Sequence, residues 1–242
     1  MIWIRCLCEA SSLNAKKISV CYLCGKELAE PINRDHVPLK QFYTEEIRKN
    51  HNPNLLTIPV HTACNSSYQL DEDYFINTLV PFAKGSYSGD SSLKDVFKKY
   101  SNGVKCYLVQ KTLNEFEHSP SGLILPTNLV AKRFEGERLH RVAWKIIRGL
   151  YFHHFNKVLP ENKLNSLSLI LPDQVPPKEF LIALGDLDGL GSYPGVFDYK
   201  FIQVKELDNF NYWAMLLWDR IILIFSFHGL DCSCDHCLEA KT

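Results

Sequence analysis

The chain has 242 residues, 46% hydrophobic and 22% charged, and its 27 basic and 27 acidic side chains cancel to a net charge of zero. That balance can build a core, and it argues against both a disordered chain and a protein coated in positive potential, while leaving room for a local basic groove. The longest apolar stretch, Tyr212 to Phe227, is broken by Asp219-Arg220 and falls short of a bilayer span. The opening Met1-Ile2-Trp3-Ile4 run is too short for a signal peptide, so a soluble, cytoplasmic protein is expected.

Residues 1–18 read as an extended leader without periodicity. Residues 19 to about 70 carry the motif residues described below, with Thr44-Glu45-Glu46-Ile47 marking a short capped helix. A helix is expected after Asn65, through Tyr74, Phe75 and Leu79, to a stop near Pro81. The small-residue stretch Gly85 to Asp90 reads as a loop, and Ser91 or Ser92 as the cap of a helix running to Tyr100. The run Val104-Lys105-Cys106-Tyr107-Leu108-Val109 reads as a strand. Gly136 to Phe155 is the clearest helix, because Leu139, Val142, Ile146 and Leu150 recur at helical spacing. Strands are expected at Leu167–Leu171, Tyr199–Val204, Tyr212–Leu217 and Ile221–Phe227, the last two forming a hairpin around Trp218-Asp219-Arg220. Four segments follow: the leader, a unit over 19–100, an α+β unit over 101–230 with an antiparallel sheet on the long helix, and a Cys-rich tail over 231–242.

Nine cysteines, an odd number at metal-type spacings, point to reduced thiols rather than disulfides. Cys21-x2-Cys24 answered by His61-x2-Cys64 supplies three sulfurs and an imidazole, the donor set of a tetrahedral structural Zn²⁺. Gly25 follows the first pair, where a knuckle turn needs positive φ. Asp35 and His36 are adjacent, and Asn65 follows the last zinc donor. A carboxylate and an amide oxygen suit Mg²⁺ or Mn²⁺, and a neighbouring imidazole can take a proton from water. In the tail, Cys232, Cys234 and Cys237, with His228 and His236 nearby, have enough donors for a second metal site but match no standard paired knuckle, so incidental cysteines at a mobile end are the preferred reading.

The series Cys-Tyr-Leu-Cys-Gly, Arg-Asp-His-Val-Pro, Asn-Leu and His-Thr-Ala-Cys-Asn resembles the HNH endonucleases of the ββα-metal (His-Me finger) superfamily, over roughly residues 19–80. The resemblance implies a zinc-braced ββα-metal, treble-clef-like nuclease motif within an α+β chain. It makes His36 the general base, Asp35 and Asn65 the ligands of a catalytic Mg²⁺ or Mn²⁺, and Asn54 the middle asparagine that orients the base. Asn52 competes for that last role, and the Asn-Leu pairing favours Asn54. His61 stands where many members have cysteine, and Asn65 where many have histidine. The activity implied is metal-dependent hydrolysis of nucleic acid, with double-stranded DNA first and RNA as an alternative; a non-catalytic zinc-binding interaction module is the competing class. Arg141, Lys145 and Arg148 fall at i, i+4, i+7 and form one stripe, which together with Lys40 and Arg34 is a candidate phosphate contact or the polar face of a core helix. Asp71, Glu72 and Asp73 could add a carboxylate near the metal, but a solvated acidic face is the default reading.

Overall fold

The computed structural model describes residues 20–51, 53–103, 106–117, 131–193, 195–204, 210–230, 232, 234, 235 and 237; the leader, Asn52 and His236 lie outside them. The fold is mixed α+β with antiparallel sheets. Strands β1 (Ile32–His36) and β2 (Thr57–His61) form a two-stranded ladder pairing Ile32 with His61 and His36 with Thr57. Between them lies helix α1 (Glu45–His51), whose first turn is closed by Thr44 Oγ1 accepting from the Ile47 N–H. That cap is the one the Thr-Glu-Glu-Ile run announces. Helices α2 (Thr62–Ser66) and α3 (Gln69–Leu79) follow directly.

Helix α4 (Tyr87–Ser101) begins earlier than its serines suggest. Ser86, not Ser91 or Ser92, caps it by accepting from the Gly89 N–H, and the presumed loop Gly85–Asp90 is largely helical. Ser91 and Ser92 are buried instead, and Ser91 Oγ bonds Thr44 Oγ1. Of the strand expected at 104–109, Val104 and Lys105 lie outside the described residues, and the rest is helical instead, in α5 (Cys106–Asn114). The β-branched run there is short, and the turns beyond it place Leu108 and Thr112 on one buried face, so the helical period prevails. A short ladder of β3 (Phe116–Glu117) and β4 (Ala131–Lys132) leads to α6 (Gly136–Phe155), which has the expected bounds. Asn156, in the left-handed region at φ 51°, ends it, and its N–H bonds the Phe152 carbonyl.

The second sheet has the order β5-β8-β7-β6, built from β5 (Ser166–Ile170), β6 (Phe197–Val204), β7 (Phe210–Leu217) and β8 (Ile221–Phe227), all antiparallel. Helix α7 (Lys178–Leu184) sits between β5 and β6 in sequence and lays Phe180 against Tyr212. The expected hairpin turn is present at Trp218-Asp219-Arg220, with Trp218 and Asp219 at positive φ. No helix among the described residues is long and apolar enough to cross a membrane.

Helix α6 joins the two sheets. Every side chain from Val142 to Phe152 is buried, the signature of a helix covered on all sides. Trp144 packs on Phe225 and Phe227 and Tyr151 on Trp213, which fixes one side to the four-stranded sheet. The other side meets the β1–β2 hairpin at Gly149, where an added Cβ would lie 2.7 Å from Val37 Cγ2 and 2.9 Å from Val37 Cγ1. The hydrophobic core is correspondingly continuous from Cys21 to Phe227. Gly149→Val is expected to destabilise the protein by about 2–3 kcal/mol through overpacking, measured as a shift of the denaturant midpoint without a change of slope.

Candidate metal centre and adjoining cation pocket

The first knuckle is a turn that sequence chemistry makes tight. Cys21 N–H bonds the Lys26 carbonyl at 2.9 Å, Gly25 N–H bonds the Cys21 carbonyl at 2.8 Å, and Gly25 takes φ 73°. Opposite it, β2 delivers His61 and α2 delivers Cys64, and the donor atoms of Cys21, Cys24, His61 and Cys64 all lie within 4.8 Å of one another. His61 Nδ1 is 3.3 Å from Cys24 Sγ and 3.8 Å from Cys64 Sγ. Tetrahedral Zn–S and Zn–N bonds place sulfur and nitrogen about 3.5 Å apart, so the set is compatible with zinc. With Nδ1 turned to the sulfurs, Nε2 lies 3.0 Å from the Glu27 carbonyl and 3.2 Å from the Ala29 N–H, and these backbone groups fix the ring's orientation.

The sulfurs differ in acidity. Burial raises the Cys24 thiol, yet hydrogen bonds from the Lys26 backbone and from His61, Cys21 and Cys64 outweigh it and bring its pKa down to about 7. Cys64 goes the other way, pushed up to about 12 by burial and by its thiol neighbours. One thiolate therefore forms readily and discourages the next. A bound cation would favour the ionised form of these sulfurs, and zinc is one that suits sulfur and imidazole.

Tyr22, inside the same knuckle, is fully buried and reaches down to Asp35, its hydroxyl donating to Oδ2. Burial first, then the Asp35 charge, hold the phenol well above its usual pKa, so it remains a donor. The other Asp35 oxygen accepts from Lys145 Nζ at 2.8 Å. The same ammonium donates to Asn65 Oδ1 at 3.0 Å and to Glu72 Oε1 at 2.6 Å. Asn65 in turn donates to Asn33 Oδ1 at 3.4 Å, from the strand position two before Asp35. Burial raises the Glu72 pKa, with Lys145 opposing.

Asp35 and Asn65 thus do come together, around one cationic centre, as the ligands of a hard ion would. Three oxygens of carboxylate and amide type are donors that fit Mg²⁺ or Mn²⁺. Their focus, however, is taken by the Lys145 ammonium, so any ion reaching these oxygens does so in exchange for it. Of the acids on α3 that could bring a carboxylate near Asp35, it is Glu72 that does so, while Tyr22 and Lys145 are not recognisable from the sequence as members of this cluster. Each is separated from Asp35 in sequence, and only the packing of α6 and α3 on the hairpin joins them.

His36, next to Asp35 on β1, is half-buried. Burial, then the nearby Lys40, hold its pKa below 6.5, with Asp35 pulling upward, so the imidazole is neutral at neutral pH. Asn54 is exposed and lines a cleft of about 430 Å³ with Arg34, Pro38, Thr57, His153 and Ser192. The loop behind it is tied to the strand by a backbone bond, Val37 N–H to the Leu56 carbonyl at 3.0 Å. Lys40 and Arg34 are exposed on either side of His36, and Arg34 Nε bonds Thr57 Oγ1.

The expected phosphate-facing stripe on α6 is not at the surface. Lys145 and Arg148 are each 1% exposed. Arg148 donates from Nε to the Leu159 carbonyl at 2.8 Å and from Nη2 to the Leu23 carbonyl, bracing the knuckle from within. Arg141 alone of the three reaches solvent in part, and it lies 4.0 Å above the Tyr68 ring while bonding Asp71. The acidic run is not solvated either: Asp71 pairs with Arg138 and Arg141, Glu72 with Lys145, and Asp73 is buried. In the tail, Cys232, Cys234 and Cys237 are not scattered. Their sulfurs gather with His228, giving a second group of donors compatible with zinc.

No protein-family model matches the chain, and neither a curated protein nor a solved structure is significantly similar to it. Cys24→Ala is expected to lose bound zinc and unfold the hairpin, detected by metal analysis and rapid proteolysis between residues 20 and 66. Tyr22→Phe is expected to keep zinc and lose about 1–3 kcal/mol of stability, because Asp35 Oδ2 is left buried without its donor.

Proposed function

We propose that the protein is an HNH-type phosphodiester hydrolase acting on nucleic acid, with double-stranded DNA as the first-choice substrate. The observation that carries this reading is the meeting of Asp35 from β1 with Asn65 from α2 on one ammonium, on a hairpin with a zinc-type cluster and with His36 next to Asp35 in the strand. A zinc clamp alone needs none of these three residues. His36, neutral at pH 7, would accept a proton from the attacking water. Asp35, Asn65 and Glu72 would hold the Mg²⁺ or Mn²⁺ that such hydrolysis uses, an ion that offsets charge developing on the phosphate. Arg34 and Lys40, exposed beside His36, would meet neighbouring phosphates, and the cleft containing Asn54 gives the strand room to lie. His36→Ala is expected to abolish nicking of supercoiled plasmid in Mg²⁺ or Mn²⁺ while zinc content and melting temperature stay unchanged. Cleavage at the normal rate by that variant would remove the base assignment.

One observation favours the second reading, a non-catalytic zinc-binding interaction module: the pocket already contains its own cation, sealed at 1% exposure. Lys145→Met separates the two. It removes the ammonium from between two carboxylates and is expected to cost about 3–5 kcal/mol. If the three oxygens form a hard-cation site, Mn²⁺ restores part of that loss and raises the variant's melting temperature more than that of the parent protein. No Mn²⁺ effect on either protein, together with no cutting of DNA or of structured RNA by zinc-loaded parent, would favour the module.

A further inference from the structure

We propose that His228, Cys232, Cys234 and Cys237 form a second structural zinc site. The four donor atoms lie within 4.8 Å of one another, as close as those of the first cluster. His228 Nδ1 is 3.2 Å from Cys232 Sγ and 3.4 Å from Cys234 Sγ, near the roughly 3.5 Å that tetrahedral Zn–N and Zn–S bonds impose. Three sulfurs and one imidazole select a borderline-soft ion over Mg²⁺ or Ca²⁺. All four positions of the tetrahedron are filled by protein, so the ion braces and does not catalyse.

Charge supports the same assignment. Three thiolates and an imidazole around Zn²⁺ leave one surplus negative charge, and Lys163 Nζ stands 3.7 Å from Cys237 Sγ. The Cys234 N–H points at Cys232 Sγ from 3.5 Å. Donors turned toward sulfur suit thiolates better than thiols, which need no compensation.

The site's place in the fold indicates what it holds. His228 directly follows β8, and its ring lies edge-on to Phe210 at the start of β7, with centroids 4.8 Å apart. Lys163 also bonds the Gly229 carbonyl at 3.1 Å. Lys163 belongs to the connection from α6 to β5, which supplies the Leu159 carbonyl to Arg148 and the Glu161 carboxylate to Tyr68, and which sets Val158 against Gly25. The ion thereby fastens the C-terminal segment to the end of the sheet. Through Lys163 it also steadies the connection that lies against the first knuckle.

The test is zinc content of the full chain after dialysis against a weak chelator, with the first cluster as internal reference. Two zinc ions per chain are expected, falling to one in His228→Ala and in Cys234→Ser. Cobalt replacement in the unmutated protein covers the case in which these variants fail to fold: two equivalents should develop tetrahedral thiolate–cobalt absorption. One zinc per chain, a single cobalt equivalent, or an undiminished two zinc ions in folded Cys234→Ser would each overturn the proposal.

Discussion

The buried ammonium of Lys145 is the contact on which the arrangement turns. It comes from α6 and is shared by Asp35 on β1, Asn65 on α2 and Glu72 on α3. Taking a charge out of water costs several kcal/mol, and only close partners of opposite sign offset it. Each of those partners belongs to a different element, so satisfying the lysine fixes three elements to one helix at once. Arg148, one turn on, repeats the device with backbone carbonyls of the knuckle and of the α6–β5 connection. Apolar packing alone would let the hairpin slide along α6; two anchored cations and the close approach at Gly149 do not.

The same logic explains why the zinc-type cluster and the oxygen pocket are one unit. Tyr22 occupies the turn between Cys21 and Cys24, and its hydroxyl ends on Asp35. A metal that sets the geometry of the turn therefore also sets the position of the carboxylate. Asn65 follows Cys64 and is placed by the same ligand-bearing helix. Soft donors at one end of the hairpin orient hard donors a few ångströms deeper.

Much of this was legible in the residues. Helix α6 and the strands β7 and β8 follow from apolar periodicity and a polar turn, and α1 from its threonine cap. The four knuckle donors were legible because paired spacing is dictated by chelation from tight turns. Periodicity states which residues share a face but not which way that face points. Arg141, Lys145 and Arg148 do share a stripe, yet α6 is covered on all sides, so a stripe that resembles a solvent face became the polar interior of the joint. The residues around 106–109 misled because β-branched and aromatic content was judged over too short a window; α3 offered a helix face to pack on. The tail donors, His228 among them, are all legible as residue types, but their spacing matches no paired knuckle because His228 directly follows a strand, so the sequence favours incidental cysteines where the structure gathers the four.

Charge balance gives the oxygen pocket its chemical direction. Asp35 and Glu72 bring two negative charges to Lys145, and Arg148, buried one turn on and bonded only to carbonyls and a phenol among the described residues, supplies a second positive charge close by. Burial pushes the Glu72 pKa up, and the Lys145 ammonium pulls it back. A divalent ion in place of the ammonium would balance both carboxylates outright. The oxygens and the ammonium thus form one buried polar network whose members come from four elements, β1, α2, α3 and α6, so that each acid positions a different part of the fold on the helix.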